Sequence, residues 1–165
     1  MPKRLNALAV AIVFVTTSTC SFFRAPPITP LPPMRLFVTS EVLQNMFEMW
    51  REYENETVRC LTGFVGLGTV HVMSMEPAWI NHADGNSANF RACTQEDAVG
   101  WMHLHPGSPY ADGWEPICEF SDVDIVTHRG LEFPIAIIVC AENTIVWRFL
   151  NNTRTFTWTG EVPSP

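Results

Sequence analysis

The apolar positions between residues 35 and 160 change period several times, and each change marks an element. Arg35 to Thr39 reads as a short strand. Ser40 is a good helix-capping residue, and beyond it Val42, Leu43, Met46, Phe47 and Trp50 recur at helical spacing, which predicts a helix from Glu41 to about Glu54. A strand follows from Glu56 through Cys60 and Leu61 to glycines at 63 and 66, and Thr69 to Met75 is expected to pair with it as a hairpin. Pro77 to Ala92 reads as loop, with Asp84, Gly85 and Asn86 as turn formers. Ala98 to Leu104 is again a strand, ending at His105-Pro106-Gly107. After a loop containing Pro109, Gly113 and Pro116, Ser121 opens a short helix to about His128. Phe133–Cys140 and Thr144–Leu150 then form a β-branched hairpin across Ala141-Glu142-Asn143. The order is that of an α/β (α+β) domain: a mixed, largely antiparallel central sheet flanked by helices.

The N-terminal 34 residues follow a different pattern. Lys3 and Arg4 precede an apolar run from Leu5 to Val15, then small residues to Cys20, as in a secretory signal. We read residues 1–24 as a signal peptide, 25–34 as a proline-rich linker with five prolines, and 35–160 as the domain. Cys20 is a candidate lipid-attachment site, although Thr17 is not the aliphatic residue such a site favours. The expected location is therefore outside the cytoplasm: periplasmic, secreted or held by an N-terminal membrane or lipid anchor. No run reaches the 18 or more apolar residues of a spanning helix, so no transmembrane domain is expected.

Composition narrows the partners. The 165 residues are 47% hydrophobic and 16% charged, enough for one domain with a buried core. The net charge is −7, from 17 acidic and 10 basic residues, and no basic cluster offsets it, so nucleic acid is excluded as a partner. Among five cysteines there is no Cys-x-x-Cys. In an exported chain one disulfide is permissible, with its pairing open; Cys60 and Cys140, inside apolar strands, otherwise read as buried thiols.

The chemistry concentrates in three places. His103 and His105 lie two apart on a strand, so both imidazoles project from one face and can grip one ion. Ser121 and Asp124 are three apart on a helix and share a face as well. Glu56 stands at the start of a strand that reaches Gly63. Glu56 with Gly63, His103-Leu104-His105-Pro106 and Ser121-x-x-Asp124 together resemble the JAMM, or MPN-type, metalloprotease family. Its pattern is an upstream Glu, then His-x-His-Pro, then Ser-x-x-Asp. The resemblance runs from Leu36 to Leu150. It departs in spacing, since the 15 residues between His105 and Ser121 exceed the usual family interval; this bears on substrate class more than on the metal.

The resemblance implies an MPN, cytidine-deaminase-like fold and a zinc ion (Zn2+) held by His103, His105 and Asp124. It further implies Glu56 as general base toward a metal-activated water, and Ser121 as a hydrogen-bond donor to the oxyanion. The reading is a zinc metallopeptidase acting on a peptide or protein substrate by cleaving a peptide or isopeptide amide bond. The alternative is a catalytically silent MPN-like zinc-binding or scaffold domain. A zinc deaminase would need His-x-Glu and Pro-Cys-x-x-Cys, which the chain lacks. Each residue also has a plainer role. Ser121 caps a helix, Asp122 rivals Asp124 but suits the first-turn dipole, and Cys118 would close the site as a fourth ligand. His71, His82 and His128 read as surface or loop residues, and Trp114 as a candidate groove residue. Substrate identity and oligomeric state are left open.

Overall fold

A computed structural model of the protein describes residues 35–53, 55–83, 87–105 and 117–160. In chain order they form β1 (Arg35–Val38), α1 (Ser40–Glu52), β2 (Val58–Gly66), β3 (Thr69–Pro77), β4 (Ile80–Ala83), β5 (Ala88–Phe90) and β6 (Ala98–Leu104). Then come α2 (Asp122–Leu131), β7 (Ile135–Ala141), β8 (Thr144–Phe149) and β9 (Thr155–Thr159). The segments read as signal and linker, residues 84–86, and Pro106, Gly107 and Trp114 lie outside the described residues.

Seven strands make one mixed sheet in the order β1-β3-β2-β6-β7-β8-β9. The pairs β1–β3 and β6–β7 are parallel, and the other pairs are antiparallel. The central strands explain the continuous apolar run of β7: Ile135 through Cys140 are all buried, because both faces of the strand are covered. Alternation divides the two faces. Met102, Leu104, Ile135, Ile137 and Val139 pack with Val42, Met46 and Phe47 of α1. Trp101 and Ala136 pack instead with Leu131 at the end of α2 and with Phe120 and Phe133. Each such large apolar side chain removed from water contributes roughly 1.5–3 kcal/mol.

Several elements differ from the sequence reading. Thr39, not Ser40, caps α1, its hydroxyl accepting from the Val42 amide. β2 begins at Val58, so Glu56 precedes the strand rather than starting it. The stretch read as loop contains the β4–β5 hairpin; its polar residues hid it, and two of them, Asn81 and Asn89, bond across the strands. β9 was not foreseen, although Thr-Phe-Thr-Trp-Thr alternates strictly; Phe156 stacks on Trp147 of β8. Finally, Cys60 and Cys140 are not thiols. Two disulfides form, Cys60–Cys93 and Cys118–Cys140, and the second removes Cys118 from the set of possible metal ligands. Among the described residues no helix is long and apolar enough to cross a membrane.

Candidate metal centre

β6 delivers the two histidines. Its parallel pairing with β7 continues past Leu104 through a bond from the His105 amide to the Val139 carbonyl, so strand-like geometry holds to the last residue before the loop. The two rings consequently share a face, with Nε2 of His103 2.9 Å from Nε2 of His105. Register also places Glu56. Val58 pairs with His103, and the Leu104 amide donates to the Thr57 carbonyl, which brings residue 56 opposite His105. Glu56 Oε1 lies 3.8 Å from His105 Nε2.

α2 brings the second carboxylate. Ser121 is its N-cap, and a capping box closes the first turn. The Asp124 amide donates to Ser121 Oγ, and the Ser121 amide and hydroxyl both donate to Asp124 Oδ2. That leaves Oδ1 to face His103 Nε2 at 3.4 Å. One carboxylate thus stands beside each ring. Asp122, two residues before Asp124, is exposed.

These donors fit a zinc ion. Bonds of about 2.0–2.1 Å in a tetrahedral site separate neighbouring donor atoms by roughly 3.3 Å, and the His103–His105 and His103–Asp124 spacings lie near that value. Among the described residues, Glu56, His103 and His105 offer donor atoms all within 4.8 Å of one another; Asp124 stands outside that group and reaches it through His103 alone. The tautomer of His105 is fixed by its surroundings. Its Nδ1 lies 2.7 Å from the Ile117 carbonyl oxygen, which can only accept. Nδ1 therefore carries the proton, and Nε2 turns its lone pair to the other donors, the arrangement of a metal-ligating imidazole.

His103 is buried, and burial lowers its pKa to about 4, against the raising effect of Asp124 and with a further lowering by His105. The ring is neutral at physiological pH, as ligation requires. His128, expected at the surface, is fully buried in α2 at the edge of Trp101, where Nε2 donates to the Phe133 carbonyl. Burial lowers its pKa too, opposed by the Phe133 bond and assisted by Arg148.

Both histidines predict acid sensitivity. Above pH 6.5 His103 is neutral folded and unfolded. Between 6.5 and about 4 the unfolded chain binds a proton that the folded chain refuses, so stability is lost as pH falls through that window. At about 1.4 kcal/mol per unit the His103 contribution reaches roughly 3 kcal/mol at its lower end, and His128 adds in the same direction. The metal-free protein should melt at progressively lower temperature from pH 6.5 to 4. A melting temperature constant across that range contradicts this account.

No family model matches the chain, and no curated protein matches it. Among solved structures it is similar to a JAB1/MPN domain protein from Archaeoglobus fulgidus, at 16% identity and a TM-score of 0.44. The match covers 72% of this chain and 88% of that one. The case for the site rests on the distances above.

Proposed function

We propose that the protein is an MPN-type zinc metallopeptidase that hydrolyses a peptide or isopeptide amide bond. The observation that carries this reading is the convergence of Glu56, His103 and His105, whose donor atoms lie within 4.8 Å of one another, with Asp124 beside His103 and the His105 tautomer set for ligation. His103, His105 and Asp124 would hold the ion. When bound, zinc supplies Lewis acidity, acidifying a water and polarising the substrate carbonyl. Glu56 takes the proton from the attacking water and returns it to the leaving amine, as its place beside His105 allows. Ser121, whose hydroxyl here donates to Asp124, turns that donor to the developing oxyanion, while the Ser121 amide keeps Asp124 in place.

The fold belongs in this reading to the cytidine-deaminase-like group, with helices on both sides of the sheet. Residues 1–24 act as an export signal, 25–34 as linker and 35–160 as the catalytic domain. The two disulfides support a location outside the reducing cytoplasm. The test is metal analysis of the purified full chain together with cleavage of a broad peptide library. The proposal requires about one zinc per chain and hydrolysis abolished by a chelator and restored by zinc. Zinc without cleavage favours the scaffold alternative, and no zinc ends the proposal.

A further inference from the structure

We infer that the Cys118–Cys140 disulfide is a positioning element of the metal centre, holding in place the carbonyl that orients His105. The inference rests on the zinc reading above and adds residues that govern affinity without touching the ion.

His105 is the last described residue before Ile117, and besides the Nε2 contacts with His103 and Glu56 three hydrogen bonds hold it. Its amide donates to the Val139 carbonyl, its Nδ1 donates to the Ile117 carbonyl, and its own carbonyl accepts from Trp50 Nε1 of α1 at 3.1 Å. The Ile117 contact alone sets the tautomer. Yet Ile117 cannot anchor itself, since its side chain is 59% exposed. What fixes its carbonyl is the next residue: Cys118 is bonded to Cys140, which is fully buried in β7. Cys140 in turn follows Val139, the acceptor for the His105 amide. The contacts close a ring through His105, Ile117, Cys118, Cys140 and Val139, and the disulfide is its covalent member. Without it, the next anchored side chain is Phe120, three residues beyond Ile117. Cys60–Cys93 ties β2 to the segment before β6 and belongs to no such ring.

Partners that orient a metal-ligating histidine typically govern 10–100-fold in metal affinity. The test is zinc affinity of the full chain, by competition with a chromophoric chelator, for Cys118→Ala/Cys140→Val beside Cys60→Ala/Cys93→Ala. The first pair should bind zinc about 10–100-fold more weakly and shift the visible absorption bands of the Co²⁺-substituted protein, while the second stays within about twofold of the parent. In the metal-free first pair, long-range ¹H–¹⁵N NMR should show His105 losing its single Nδ1–H tautomer, a change that a merely destabilised fold does not produce. Parental zinc affinity and tautomer in the first pair overturn the inference and leave the zinc reading standing; equal weakening by both pairs also overturns it. A parent that binds no zinc instead defeats the zinc reading, and this inference with it. Should the first pair not fold, Trp50→Phe decides, because it removes one hold on His105 with both disulfides intact. A several-fold weaker zinc affinity is then expected, and parental affinity means that the mounting of His105 does not set binding.

Discussion

Replacing Glu56 by Gln should lower peptide hydrolysis by about 10²–10⁴-fold, the usual worth of a positioned general base, while zinc content and melting temperature stay near parental values. The substitution keeps the size and shape of the side chain while removing its negative charge and its ability to accept a proton. Glu56 precedes β2 and belongs to neither of the apolar clusters that α1 and α2 cover, and Gln preserves its volume, so the packing is kept. The three groups assigned to the ion are untouched. Hydrolysis rate, zinc stoichiometry and thermal melting, measured together, separate the outcomes. Parental activity in Glu56→Gln would show that proton transfer runs elsewhere, even with zinc in place.

His105→Ala should lose zinc and activity together. In the proposed site the ring supplies one of three protein donors, so its loss would remove a bond to the ion rather than an orienting contact. The affinity loss should therefore exceed the 10–100-fold typical of outer partners. The Ile117 carbonyl loses its donor as well, which adds a modest cost at an exposed segment. Zinc stoichiometry after dialysis and residual hydrolysis are the measurements. A variant that keeps a full complement of zinc would place His105 outside the ligand set. The contrast between the two substitutions is what distinguishes base from ligand.

Much of this was legible in the sequence because it depends on period. Two histidines on a strand share a face, and a Ser with an Asp three residues later shares one on a helix. The α1 stripe and the β7–β8 hairpin were readable for the same reason. What escaped depends on contacts between distant segments. Nothing in the composition around Ile117 marks its main-chain carbonyl as the acceptor for His105, because any residue offers one. Trp50 reads as one more apolar member of the α1 face, and only the fold brings its indole N–H to His105. His128 was misjudged because a polar residue near the end of a helix is usually exposed; here it lies beneath that helix against Trp101. The cysteine pairs join positions 33 and 22 residues apart, with no local signal to say which joins which.

The capping box at Ser121 has a consequence for how the site would release its ion. Asp124 divides its two oxygens, Oδ2 closing the start of α2 and Oδ1 facing His103. Helix ends open locally at far lower free energy than the whole domain, and each such opening of α2 swings a carboxylate away from the histidine pair. A bound ion opposes the same opening by mass action. In the proposed zinc site the fraying frequency of one helical turn, rather than global unfolding, would then set the pace of metal exchange with the surroundings.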